Sequence, residues 1–151
     1  MPALDQDTFD RREVISTLAR GQREELAEAV EAVGEPGGWR WLRAPETGLV
    51  MLRGRAGGGG APFNLGEASV TRASLVLAGG ETGHAYALGR DKAAARLAAL
   101  LDALWQTPAR EAVETHALRP IQARVASQAE REEAEAAATT VDFFTLARGD
   151  D

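Results

Sequence analysis

The sequence has no cysteine, one lysine and two histidines among its 151 residues, and each scarcity removes a class of chemistry. Without cysteine there are no disulfides and no thiolate zinc site, a usage that fits a reducing compartment. The histidines, His84 and His116, belong to no H-E-x-x-H or similar ligand spacing, so no metal is expected. His84 reads as a strand-face residue and His116 as a helix-surface one. No serine sits in a nucleophile elbow, which leaves any Ser-His-Asp assembly unsupported. Apolar runs also stay well short of the roughly 20 residues that a membrane span needs. The Arg11-Arg12 pair is followed by no apolar segment of the kind a twin-arginine signal requires. The expected location is the cytoplasm, away from membranes.

Positive charge is scarce overall, at net −6, but it is unevenly placed. Gly38 to Lys92 carries net +3, between an N-terminal part at −5 and a C-terminal part at −4. Nucleic-acid binding usually needs a strong positive footprint, so this distribution argues against it. It permits a local site for a small polyanion.

The most unusual stretch is RAGGGGAPFNLGE, Arg55 to Glu67. A phosphate loop needs Lys-Ser/Thr directly after its last glycine, so that ammonium and hydroxyl reach phosphate and magnesium. Here Ala61-Pro62 follows, and the single lysine, Lys92, lies far beyond. The dinucleotide fingerprint fails as well, because its third glycine falls on Pro62. No helix follows directly to offer free N–H groups to an anion. The run reads as a joint between strands.

Elsewhere the hydrophobic period assigns the elements. Phe9, Val14, Ile15 and Leu18, then Leu26, Val30 and Val33 after Gly21, fit two short helices that end at Gly34 and Pro36. Period two follows in four segments, around residues 39–43, 49–53, 69–77 and 84–88, with turns at APETG and AGGETG. Asp91 is a helix cap ahead of the stripe Leu97, Leu100, Leu101 and Leu104. Thr107-Pro108 restarts a helix, and Pro120 forces a kink or a new start. From Ile121 to Ala138 helix propensity is high and large apolar groups are few.

The expected fold is α+β in a single domain over 1–151. Residues 1–36 are helical, 38–90 form a four-stranded antiparallel meander, 91–139 are helical, and 140–151 are an extended tail. Helices pack on one sheet face. The polar helix and the apolar tail, with Phe143 and Phe144, suit either a partner's surface or a solvated helix with a self-docked tail.

Arg43, Arg72 and Arg90 fall at or near strand ends, each with an acid nearby: Glu46, Glu67 and Asp91. A guanidinium fork matches phosphate or carboxylate. The arginines are open to two readings, structural ion pairs or a triphosphate- or phosphonate-binding surface completed by another chain.

Taken in order, RAPETGLVMLR, FNLGEASVTRASL, GHAYALGRDK, AALLDAL and VDFFTLARGD resemble the PhnG subunits of the bacterial carbon–phosphorus lyase system. The resemblance runs from about Arg43 to Asp150 and implies a subunit that acts with the PhnH, PhnI and PhnL proteins. Together these transfer the ribose triphosphate of ATP to an alkylphosphonate with release of adenine. It also implies a stable assembly that includes PhnJ, in which later radical chemistry breaks the carbon–phosphorus bond. The nucleosidase-like chemistry is associated with PhnI, so this chain would be a companion, inactive alone, with ATP a substrate of the complex and no cofactor of its own. Arg43, Glu46, Glu67, Arg72, Arg90 and Asp91 are then the candidate substrate or shared-site contacts, and Phe143 and Phe144 the candidate partner interface. The alternative is a structural subunit that touches no substrate. This sequence departs from the family pattern at Ala73, where relatives often carry cysteine, and near Ala94, where they often carry histidine.

Overall fold

Local signals start the first three helices in the computed structural model, which describes residues 8–139. Asp10 accepts a hydrogen bond from the Glu13 N–H at 2.8 Å, and the Glu13 carboxylate accepts from the Asp10 N–H at 2.9 Å. This reciprocal box satisfies otherwise orphaned donors at the start of α1, Arg11–Leu18. Glu25 likewise reaches back to the Gln22 N–H at 2.8 Å, opening α2, Arg23–Val33, which stops at Gly34 with φ +94°. Asp91 caps α3, Lys92–Trp105, through the Ala94 N–H at 2.9 Å.

Three strands form one antiparallel sheet in the order β1-β2-β3: Trp39–Arg55, Pro62–Leu77 and Thr82–Leu88. The expected fourth strand does not exist, because its first two segments are one. APETG does not turn the chain. Ala44-Pro45 is taken up by irregularities in the β1–β2 register between Trp41 and Glu46. Proline lacks the N–H that a central strand needs, but β1 lies at the sheet edge, where proline and bulges are tolerated. The glycine run does join two strands, as expected. It makes a single tight turn with Gly57 at φ +59° and Gly58 at φ +73°, conformations that glycine adopts without steric cost.

Odd-numbered residues of β2 turn to the helices: Thr71, Ala73, Leu75 and Leu77 are all buried. Against them lies α3, which is buried on every side from Leu97 to Trp105 rather than along a single stripe. Its alanines explain this, because Ala95, Ala98, Ala99 and Ala103 let the sheet and the outer helices approach from different directions. The approach is closest at Gly83 of β3, where a Cβ would stand 1.8 Å from the Ala99 carbonyl oxygen. One carboxylate ties the layers together. Asp102 on α3 is fully buried, accepts the His84 N–H at 2.8 Å, and takes Arg11 of α1 at 3.1 Å.

Thr107 accepts the Ala109 N–H ahead of α4, Arg110–Val113. The helix then widens into a π-type turn over Glu114–Leu118 and continues as α5, Arg119–Ala138. The widened turn ends two residues before Pro120, where a regular helix would clash with the carbonyl four residues back. Pro120 therefore produces a wide turn, and the chain runs on. Ile121 is the buried residue of α5. Arg124 adds a clamp, donating to the Glu25 carboxylate at 2.6 and 3.0 Å and to the Arg20 carbonyl at 2.6 Å. Phe143 and Phe144, in the expected tail, lie outside the described residues.

Candidate functional site

Even-numbered residues of β2 face away from the helices, and their neighbours on β1 and β3 share that open face. The register places Glu46 opposite Arg72, Arg43 opposite Ser74, Tyr86 opposite Arg72, and His84 opposite Ser74. Six polar or aromatic side chains from three strands thus occupy one small area.

At its centre, the Glu46 carboxylate is shared by two arginines. Its Oε1 accepts from Arg43 Nη1 and from Arg72 Nε, each at 2.6 Å. These two hydrogen bonds hold the Glu46 carboxyl below the usual carboxylate range. Two positive groups share one negative group, so the cluster keeps net positive charge. The three side chains are 48%, 52% and 47% exposed for Arg43, Arg72 and Glu46, so an incoming anion can reach them. Arg72 meets Glu46 through Nε alone, and its terminal nitrogens make no other hydrogen bond among the described residues.

A cleft of about 390 Å³ opens beside this cluster, lined by Glu46, Gly48, Val50, Val70, Arg72 and Tyr86 among others. Next to it, Ser74 Oγ and His84 Nδ1 are hydrogen-bonded at 2.8 Å. On the other, helix-facing side of the sheet Thr47 and Thr71 join their hydroxyls at 2.9 Å and Thr71 donates to the Gly89 carbonyl at 2.8 Å, so this hydroxyl pair takes no part in the open face. Arranged this way, the face can bind an anion and orient it. No carboxylate hydrogen-bonds His84 through its ring among the described residues, so the Ser-His contact is not a triad.

The chain matches the family described as "Phosphonate metabolism protein PhnG" over residues 9–149. It is also 48% identical over 147 residues to a Rhizobium meliloti (strain 1021) protein, covering 97% of this chain and 94% of that one. That relative is named alpha-D-ribose 1-methylphosphonate 5-triphosphate synthase subunit PhnG. The chain belongs to the PhnG family.

Within this PhnG-family fold the six sequence-derived candidates separate. Arg43, Glu46 and Arg72 meet, and Arg72 takes Glu46 rather than Glu67 as its partner. Glu67 stands opposite Met51, in the part of the β1–β2 hairpin that β3 does not reach. Asp91 pairs with Arg23 of α2 at 2.8 Å instead of with its neighbour Arg90. The Arg23 hydrogen bond and the Ala94 N–H hold the Asp91 carboxyl below its usual range, and Asp91 in turn raises Arg23. Asp91 lines a second cleft of about 360 Å³ with Arg23, Thr71 and Ala94. Arg90 is exposed at the bend between β3 and α3. Of the two alanine positions, Ala73 is core and Ala94 borders that second cleft.

Sequence reasoning missed Ser74, Tyr86 and His84 as neighbours of the arginines. The signal was available in the period of two: 72 and 74 share a face, as do 84 and 86. What was missing was the register that sets them side by side.

Proposed function

We propose that this chain is the G subunit of an α-D-ribose 1-methylphosphonate 5-triphosphate synthase, acting in the breakdown of organic phosphonates. The observation that carries this reading is the end-to-end likeness to a relative of that name, 48% identical over 97% of this chain. In the reaction, a phosphonate oxygen forms a bond to the anomeric carbon of the ATP ribose. The bond from that carbon to adenine breaks, and adenine leaves with the electron pair and takes up a proton. PhnH, PhnI and PhnL are the companions in this step, and PhnJ joins the stable assembly.

Both substrates are anions, and displacement at a ribose carbon is accelerated by holding them in line. Fixed positive groups also stabilise charge that shifts during transfer. In this reading Arg43 and Arg72 lend such groups to a site shared with another subunit, and Glu46 holds the two guanidinium groups side by side. Glu67, Arg90 and Asp91 lie apart from this cluster, and Asp91 serves first as the cap of α3.

A structural role without substrate contact is the second reading. It is favoured by the arginines' internal ion pair with Glu46. In that reading Phe143 and Phe144 dock on a companion, since buried aromatics supply much of an interface's energy. Adenine release by the reconstituted complex separates the two. Under the shared-site reading, Arg72→Ala leaves the complex assembled and lowers release at least tenfold. Under the structural reading, Arg72→Ala changes release only in proportion to complex yield, whereas Phe143→Ala with Phe144→Ala breaks assembly.

A further inference from the structure

Beyond the end of β3, β1 and β2 continue together as a two-stranded ribbon from Leu49–Ser69 to Arg55–Pro62. Among the described residues no third strand pairs with it, and none of its residues from Leu49 to Ser69 is buried. At about 3.3 Å per residue the ribbon extends roughly 20 Å. An isolated two-stranded hairpin is marginal in water, and this one also carries Gly54 and Gly66 within its strands.

Its exposed side chains are nevertheless large and apolar: Leu49 63%, Met51 56%, Leu52 44%, Phe63 46% and Leu65 62% exposed. Apolar side chains scattered singly on a surface need no explanation, but a contiguous group does. They also divide between the two faces. Leu49 and Met51 lie on one face; Leu52 lies on the other, with Phe63 opposite Gly54 and Leu65 leaning over the Gly54 Cα. At the far end stand Arg53 and Arg55, which have no carboxylate partner among the described residues.

We propose that this ribbon is a docking arm that inserts into a groove of another subunit of the synthase. The groove is apolar on both walls and has carboxylates where the arm's tip ends. The inference rests on the subunit reading above. Apolar groups on both faces decide the kind of occupant. A second copy stacked on the ribbon would cover one face and leave the other wet, whereas a groove covers both. The tip arginines have no carboxylate partner among the described residues, Arg55 meeting only the Gly60 carbonyl at 3.3 Å, and so specify the charge of the groove's end, since opposite charges set register and orientation at interfaces. Among the described residues no strand pairs with the outer edge of β1, which adds backbone donors and acceptors that a partner strand could extend.

The test uses the full chain co-expressed with its companion subunits. Two variants each strip one face: Leu49→Ser with Met51→Ser, and Leu52→Ser with Phe63→Ser and Leu65→Ser. A third, Arg53→Glu with Arg55→Glu, reverses the tip. Since these side chains are exposed, each isolated variant should keep the wild-type circular dichroism. Each is expected to lower the companion recovered per chain at least fivefold, the face variants most. Amide hydrogen exchange on the wild type, which needs no variant, should slow at least tenfold over residues 49–67 on entering the complex. Wild-type recovery by all three variants, with unchanged ribbon exchange, overturns the arm. A dimer of the isolated chain that is lost with the face variants also overturns it, in favour of a second copy. If the wild-type chain recovers no companion subunit, the subunit reading fails and takes the arm with it.

Discussion

Replacing Asp102 tests the account of how the layers are held together. The side chain is fully buried on α3, and its Oδ2 accepts both the His84 N–H at 2.8 Å and Arg11 Nη2 at 3.1 Å. Arg11 also donates to the Thr82 carbonyl at 2.7 Å, so one junction joins α1, α3 and the start of β3. Asp102→Ala removes the acceptor and strands the His84 N–H, which costs about 1–3 kcal/mol. The Arg11 side chain is 39% exposed, so solvent screening keeps the ion pair's own share to about 1 kcal/mol. Together these give about 2–4 kcal/mol. In a domain of this size each kcal/mol shifts Tm by about 2–4 °C, so the expected drop is on the order of 10 °C. Asp102→Asn keeps an acceptor for His84 and should lose less, about 1–2 kcal/mol. The assay is thermal and urea unfolding of both variants beside the wild type. An alanine variant within about 0.5 kcal/mol of wild type, or an asparagine variant worse than alanine, would refute the reasoning.

Gly83→Ala should be as harmful as a core overpacking change, costing at least about 2 kcal/mol, because the new Cβ meets the Ala99 carbonyl at 1.8 Å; urea midpoints will show it. Acid should weaken the fold through carboxylates whose folded pKa lies below the unfolded one. Glu46 is held low by Arg43 and Arg72, and Asp91 by Arg23 and the Ala94 N–H. Burial pushes Glu25 up, but its hydrogen bonds from Arg124 and the Gln22 N–H outweigh that and bring it down. Such groups stabilise fully above the unfolded values of about 4, and the contribution fades as pH falls through the lower folded values. Melts should therefore be flat in these groups from about pH 7 to 5 and fall below about pH 4. Arg124→Ala should remove about 1–2 kcal/mol and bring the Glu25 carboxyl back up, which carboxyl NMR titration can follow. Gly57→Ala, at φ +59° in an open turn, should cost the isolated chain about 1 kcal/mol, read from urea midpoints, as expected of a strained left-handed position.

The parts of the fold that follow from local chemistry were legible beforehand. The cap at Asp91, the stop at Gly34 and the strand alternation needed only neighbouring residues. The glycine run was legible for the same reason, since the absence of lysine after Gly60 is a local fact. What escaped depended on position in the assembled sheet. Ala44-Pro45 reads as a turn unless the strand is known to be an edge. The ribbon strand from Pro62 was hidden by Gly66 and its bulge. α3 looked like a one-sided helix because alanines give no sign of being buried until both neighbours are in place. Asp102 is an isolated acid in an apolar stripe, a signal of a buried partner that composition alone does not interpret. At the candidate site, the nearness of Arg43 to Glu46 was visible at three residues' spacing. The Arg72–Glu46 contact, separated by 26 residues, required the register.

The central claim is that this chain is a working part of a ribose triphosphate transferase for phosphonates. It is tested most directly by measuring adenine release from ATP and methylphosphonate by the companion subunits, with and without this chain, while size exclusion follows their assembly. The account predicts that release requires the chain and returns when purified chain is added back. Release at the same rate in its absence would contradict it.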